Sequence, residues 1–332
     1  MNQSIRTIAI LGAGAVGSYL VMGLSGKYKE NLWVIADGER KERLEKNGLN
    51  INDESYSLHV KTPSEAHGVD ILFVCLKYTQ LRDALPDIET ITGEHTMVVS
   101  LLNGVDSEEI IGTHIGMEHM IYSLIRIASR RIGNSIHFSL PKGYNGIYIG
   151  IPGKQVDQDP RLAAIAEIFA GTPVTLHLSD DILLDIWDKF GLNVSRNLPQ
   201  AILGVGIGAY DDSTYVDAIM RQMRHEVVLV ANAKGVPLKE EFQAGKWLPT
   251  QRYSTLQDLD AHRHTEIDMF SGALVRMGKE LGIACPYNEM TYNLIKALEE
   301  KNDGKFDYEF LSGKSNDFIT DGFLYNNLGA GN

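Results

Sequence analysis

The sequence predicts an α/β N-terminal half built on a parallel, doubly wound sheet, followed by an all-α C-terminal half. Two patterns predict it. Short apolar runs alternate with helix-period segments through the first half, and after Asp180-Asp181 the periodicity is helical almost throughout. At 332 residues the chain also exceeds the span of one hydrophobic core, roughly 100–200 residues.

Thr7-Ile8-Ala9-Ile10-Leu11 is a short apolar run that stops at Gly12, as a strand buried on both faces would. Residues 15–25 supply the helix after it and 32–36 a second strand, closing a βαβ unit of about thirty residues. A helix over 40–46 comes next, then strands over 71–76 and 97–102 on either side of a helix over 80–91. From Met120 to Ile151, β-branched and aromatic residues with Gly and Pro turns predict antiparallel strands that extend the sheet. A helix over 160–169 and a strand over 174–178 end this half, which places the boundary at Ser179, with domains 1–179 and 180–332. Helices are expected over 182–201, 215–234, 264–281 and 287–300. Gly204-Val205-Gly206-Ile207-Gly208 follows a helix and reads as an interhelical loop, while the tail beyond Asp303 is polar, rich in Gly and Asn, and expected to be partly disordered.

With 44% hydrophobic and 22% charged residues the composition is that of a globular protein. A net charge of −12 repels a phosphate backbone, and no basic stripe rises above pairs such as Arg130-Arg131, so nucleic acid is not an expected partner. Cys75 and Cys285 are too few for a disulfide framework or a metal cluster, and reduced thiols in the cytoplasm are the simplest reading. Residues 7–26 carry no charge and match a membrane span in length, but their glycines assign them to the strand–turn–helix unit; no membrane segment is expected.

Gly12-Ala13-Gly14-Ala15-Val16-Gly17 stands directly after a strand and opens a helix, the setting in which this spacing binds a dinucleotide. The first glycine makes the tight turn, the second lets a pyrophosphate approach the backbone, and the third lets helix and strand pack. The first half is therefore expected to be a Rossmann-type dinucleotide-binding domain rather than one with a merely Gly-rich turn. Asp37, at the end of the second strand, can accept hydrogen bonds from the adenosine ribose hydroxyls, which favours NAD over NADP; it can equally cap the following helix.

Lys189, Asn193 and Asn197 recur at i, i+4 and i+8, on one stripe of a helix whose other faces carry Ile186, Leu192 and Leu198. Taken alone, such a stripe is a solvated face. Lys77 and Asn103 fall just beyond the carboxyl ends of expected parallel strands, where open α/β sheets place their ligands; a strand end and a plain turn are the alternatives. His262, His264, Glu266 and Asp268 are metal-ligand types, but residues two apart on a helix do not share a face, and no metal is expected there.

The glycine fingerprint, Cys75-Leu76-Lys77, Leu102-Asn103-Gly104, Trp187-Asp188-Lys189-Phe190-Gly191-Leu192-Asn193 and Arg263-His264-Thr265-Glu266-Ile267-Asp268 together resemble the ketopantoate reductase (2-dehydropantoate 2-reductase) family over about residues 5–302. The spacing from Ser254 to Glu266 agrees. The resemblance implies a soluble NAD(P)H-dependent oxidoreductase that reduces ketopantoate to pantoate in pantothenate and coenzyme A biosynthesis, with NADP(H) as the family's cofactor. It implies that Lys189 is the general acid that protonates the ketone oxygen as hydride reaches the carbonyl carbon, and that Glu266 binds the substrate's hydroxyl. Asn193, Asn197 and Ser254 would position the substrate, while Lys77 and Asn103 would lie where cofactor and substrate meet, Asn103 acting with Lys189 and Glu266. Hydride addition leaves negative charge on oxygen, which a positioned ammonium neutralises and protonates. The implied partner is a small 2-oxo acid, and a homodimer is compatible with the resemblance.

Where the family commonly ends its second strand with an arginine that binds the 2′-phosphate of NADP, this chain has Asp37, followed by Arg40 and Lys41. NAD(H) is plausible on that ground. Ser271 stands where the family often has Asn, the tail is longer than the family core, and residues 211–215 and 243–250 look extended. An NAD-dependent D-2-hydroxyacid dehydrogenase on the same scaffold is the competing expectation, and a dinucleotide-sensing module without turnover is a third, against which Lys189, Asn193 and Glu266 speak.

Overall fold

The computed structural model describes residues 5–138, 145–242 and 248–306. Its first half winds a sheet outward in both directions from the first strand. β1 (Ile8–Leu11), α1 (Ala15–Tyr28), β2 (Leu32–Ile35), α2 (Gly38–Asn47), the small hairpin β3 (Leu49–Ile51) and β4 (Glu54–Tyr56), and β5 (His59–Lys61) build one side. The chain then crosses back through β6 (Ile71–Val74), α3 (Tyr78–Leu81), α4 (Leu85–Ile91), β7 (Met97–Ser100), α5 (Ser107–Ile115) and β8 (Met120–Arg126). β9 (Ser129–Ile132), β10 (Ser135–Phe138), β11 (Gly146–Gly150), α6 (Pro160–Phe169) and β12 (Leu176–Leu178) complete this half.

The eight-stranded sheet has the order β12-β11-β8-β7-β6-β1-β2-β5, and of its neighbours only β8 and β11 are antiparallel. Every residue of β1 and β6 is buried, because both faces of the sheet are covered. Ile8 and Ile10 pack with Leu20 and Leu24 of α1, whereas Ala9 and Leu11 pack with Ile88, Ile91 and Ile111 on the other face. The reversal of strand order falls between β1 and β6, where Leu11 pairs level with Val74. Loops leaving the carboxyl ends there diverge and open a crevice.

Three expectations are corrected. The strands of residues 120–151 do not all extend the main sheet: β8 joins it parallel to β7, β11 joins it antiparallel, and β9 and β10 form a second sheet of order β4-β3-β10-β9. β9 is exposed at every position and carries Arg130 and Arg131, which a two-sided buried sheet cannot take, while Phe138 of β10 reaches Tyr19 of α1 at 5.4 Å between ring centroids. The single helix over 80–91 is two short ones, since Pro86 in the first turn of α4 cannot donate into a continuous ladder.

In the second half α7 (Ile182–Leu192), a π turn (Asn193–Asn197) and α8 (Leu198–Leu203) form one continuous rod, followed by α9 (Ala209–Asp212), α10 (Thr214–Ala233), α11 (Ser254–Asp260), α12 (Ser271–Leu281) and α13 (Pro286–Asn302). Pro199 has no amide for the carbonyl of Ser195, and the Ser195 hydroxyl bonds back to the Gly191 carbonyl at 2.6 Å; both loosen the α ladder into a π turn. Residues 204–208 are the interhelical loop between α8 and α9. The expected helix over 264–281 begins only at Ser271. Residues 264–266 are irregular and 267–270 form a turn, because the Thr265 amide and hydroxyl go to Glu299 instead of a helical ladder. Ile186, Trp187, Phe190, Met223, Val227, Phe270 and Leu274 form the core of this half. Tyr78, whose hydroxyl donates to Asp106 at 2.6 Å, meets Arg276 of α12 at 3.3 Å and so ties the halves together. Among the described residues no helix is long and apolar enough to cross a membrane. The polar tail beyond 306 and residues 243–247 lie outside the described residues.

Candidate active site

The three glycines of the β1–α1 turn differ in what a side chain would meet. Gly12 has φ +107°, and a Cβ there would lie 2.6 Å from the Cys75 carbonyl oxygen at the end of β6. At Gly17 it would lie 1.9 Å from the Gly12 carbonyl oxygen. At Gly14 it would meet nothing within 4 Å. The outer two glycines therefore hold the turn together, and the middle one leaves open space at the N terminus of α1. No side chain caps this helix and its first turn holds no acidic residue, so its amides and the positive end of its dipole are free for an anion. Ala13, Ala15 and Val16 pack partly buried against the sheet core. These residues fit a dinucleotide pyrophosphate. Gly17→Ala is expected to lower Tm by several degrees, because backbone must shift to admit the methyl, at a cost of about 1–3 kcal/mol; thermal unfolding of the unliganded protein checks it.

Asp37 occupies the N-cap position of α2, yet its side chain makes no capping hydrogen bond. The capping alternative is not realised, and the exposed carboxylate stands free just past β2. Lys41 is held by Glu65 at 2.7 Å, whereas Arg40 is exposed.

β1, β6 and β7 end level, and Gly12, Lys77 and Asn103 follow from the same sheet edge. Asn103 joins that edge to the second half. Its Oδ1 accepts from Lys189 Nζ at 2.6 Å, and its Nδ2 donates to Glu266 Oε2 at 3.1 Å. The amide can face only this way, since an ammonium has donors alone and a carboxylate acceptors alone. Gly104 (φ +96°) lets the turn press on the second half: a Cβ there would lie 2.8 Å from Met269 Cγ. Lys77, Tyr78, His264, Glu266 and Met269 line the adjoining cleft.

Burial governs the charges. It pushes the Lys189 ammonium down to about 7, helped by the positive charge of Arg126 and opposed by Glu266 and Glu108. Burial also raises the Glu266 carboxyl, against the Asn103 hydrogen bond and the charges of Lys77 and Lys189. The Lys189 ammonium, lowered this far, can give up its proton near neutrality. Glu108, 3% exposed and bonded to the Ser107 hydroxyl at 2.8 Å and the Ser123 amide at 3.3 Å, is pushed up to about 7 by burial.

Other expected site residues pair elsewhere. Asn197 Nδ2 donates to Ser254 Oγ at 3.3 Å, and its Oδ1 accepts from the Thr255 amide at 3.2 Å, so this pair joins the π turn to α11. Asn193, one turn beyond Lys189, opens the π turn and is half-buried. The spacing argument against a metal took residues 262–268 as helical; on the observed loop, His264 goes to Asp303, Glu266 to Asn103 and Asp268 to Tyr292. Sequence reasoning missed Arg126 and Glu108. A lone charge at the end of the largely apolar β8 is a signal for Arg126, whereas Glu108 looks like any acid in the first turn of a helix.

An uncapped helix N terminus above a glycine turn, with a lysine wired through an amide to a carboxylate at the same sheet edge, fits the site of a dinucleotide-dependent oxidoreductase. A model described as Ketopantoate reductase PanE/ApbA matches residues 8–152, and one described as Ketopantoate reductase PanE/ApbA C terminal matches residues 181–299. The chain belongs to the ketopantoate reductase family. It is 26% identical to a 2-dehydropantoate 2-reductase of Streptococcus pyogenes over 88% of this chain and 97% of that protein. To one of Pyrococcus horikoshii it is 27% identical over 90% of this chain and 99% of the other. Among solved structures, a PanE/ApbA family ketopantoate reductase from Ralstonia eutropha matches at TM-score 0.72 and 27% identity, and D-mandelate dehydrogenase with NADH and anilino(oxo)acetate at 0.75 and 25%; each covers 90% of this chain and 99% of its own.

Proposed function

We propose that the protein reduces ketopantoate to pantoate, as a 2-dehydropantoate 2-reductase, and that the Lys189–Asn103–Glu266 bridge is its catalytic centre. That bridge is the observation that carries the reading, and the names of the relatives support it. Residues 1–179 then form the dinucleotide-binding domain and 180–332 the substrate domain. A reduced nicotinamide dinucleotide on the glycine turn supplies the hydride. As charge develops on the ketone oxygen, Lys189 neutralises it and donates its proton there, held in place by Asn103 Oδ1. Glu266 accepts the substrate's hydroxyl. Lys77 lies where cofactor and substrate meet, Asn193 positions the substrate, and the buried Asn197, bonded to Ser254, supports that side from behind.

The sign of the pH dependence follows from Lys189. Reduction needs the ammonium, whose pKa is lowered to about 7, so kcat/KM for reduction is expected to be high below neutrality and to fall roughly tenfold per pH unit above it. Oxidation of the hydroxy acid needs the neutral amine and rises over the same range. A rate of reduction that climbs from pH 7 to 9 overturns the assignment.

A second reading, an NAD-dependent D-2-hydroxyacid dehydrogenase, is favoured by one feature, the uncapped Asp37 at the ribose end, which disfavours a 2′-phosphate. The two readings part in one assay: oxidation of NADPH and of NADH, separately, with ketopantoate and with a bulky aromatic 2-oxo acid. Ketopantoate turnover with either cofactor supports the first reading. Turnover confined to NADH and the aromatic acid supports the second, and no turnover of any 2-oxo acid sinks both.

A further inference from the structure

Glu266 sits on a loop, and a loop carboxylate keeps its aim only when its neighbours are tied down. The ties come from the last helix. Glu299, near the end of α13, is 3% exposed, and its Oε1 accepts from both the amide and the hydroxyl of Thr265, each at 2.7 Å. The Thr265 hydroxyl in turn accepts from the Ile267 amide at 3.2 Å. The residues on both sides of Glu266 therefore hang on one buried carboxylate.

The other oxygen of Glu299 faces Lys296 and His264. Lys296 Nζ lies 2.9 Å from Oε2 and His264 Nδ1 3.6 Å from it. His264 is also held by Asp303 at 3.0 Å, and Asp268 by the Tyr292 hydroxyl at 2.8 Å. Glu299 does not itself line the cleft, although His264, Thr265 and Glu266 do. A buried carboxylate with this many partners is costly to leave half-satisfied, so the loop and α13 stay in register.

We propose that Glu299 is a positioning residue for Glu266: it fixes the loop from behind, so that substrate affinity depends on a residue that substrate never touches. This rests on Glu266 binding the substrate, so the test carries one readout that does not.

The variants are Glu299→Ala, which removes the acceptor for Thr265, and Glu299→Gln, which keeps it. Glu299→Ala is expected to raise KM for the 2-oxo acid roughly tenfold with kcat and cofactor Kd changed less than about threefold, and Glu299→Gln to recover most of the loss. Hydrogen exchange is expected to quicken over residues 264–267 in Glu299→Ala and not over residues 12–17. A KM unchanged in the alanine variant overturns the proposal. So does a parallel change of KM, kcat and cofactor Kd that the glutamine fails to rescue, which marks a merely structural acid. Should Glu299→Ala fold poorly, Thr265→Val, which deletes only the hydroxyl bonds, must show the same KM split at smaller size, and its absence is equally adverse. Should the wild-type protein reduce no 2-oxo acid, the proposed function fails on its own and the exchange over 264–267 decides: quickening upholds the positioning role, and unchanged exchange ends it.

Discussion

Lys189→Ala lowers kcat for 2-oxo acid reduction by about 10²- to 10⁴-fold, the span that positioned proton transfer supplies, while cofactor Kd stays within about twofold. Two features make the loss large. Burial lowers the Lys189 pKa to about 7, so the proton is given up readily, and the 2.6 Å bond to Asn103 aims it. Alanine removes both the proton and the charge that meets the developing alkoxide, and Asn103 cannot replace either. Single-turnover and equilibrium cofactor binding measurements separate the parameters. A variant that loses cofactor affinity as much as turnover shows that Lys189 holds the dinucleotide and is not the acid.

The second large effect lies at the other end of the cleft. Gly14→Val raises cofactor Kd on the order of 100-fold, the loss of about two hydrogen bonds to a charged group, and leaves Tm of the unliganded protein almost unchanged. The reason is that a Cβ here would meet no other part of the fold within 4 Å, so the fold tolerates the side chain while a pyrophosphate on the turn does not. Gly17→Ala shows the opposite pattern, since its Cβ would lie 1.9 Å from the Gly12 carbonyl. If Gly14→Val binds cofactor normally, the dinucleotide does not lie on the glycine turn.

Much of this was legible in the sequence where local pattern and environment agree. β1 and β6 are buried on both faces, so their apolar runs announce parallel strands, and the glycine spacing is dictated by backbone distances that no larger residue allows. The helix carrying Lys189 was legible from its period. Its π turn was not, because it arises from the joint action of Pro199 and the Ser195 hydroxyl and not from periodicity. Residues 264–270 show helical composition but are held out of a helix by the bonds of Thr265 to Glu299, 34 residues away along the chain, and no local window contains that partner. The second sheet was missed for the same reason: β3 and β10 are each too short to declare themselves and pair across more than eighty residues. Asn197 and Ser254 bond to each other, a pairing that only three-dimensional placement supplies.

The proposed function has Glu266 accept the substrate's hydroxyl, and substrate discrimination tests that proposal most directly. We would compare kcat/KM for ketopantoate with that for the analogue lacking the terminal hydroxyl, in the wild-type protein and in Glu266→Ala. The expected result is a wild-type preference for ketopantoate of at least about 100-fold, because a half-buried carboxylate left one donor short penalises the analogue, and a preference below about tenfold in the variant. A wild-type protein that turns over both equally, or a preference that survives Glu266→Ala undiminished, contradicts the proposed site.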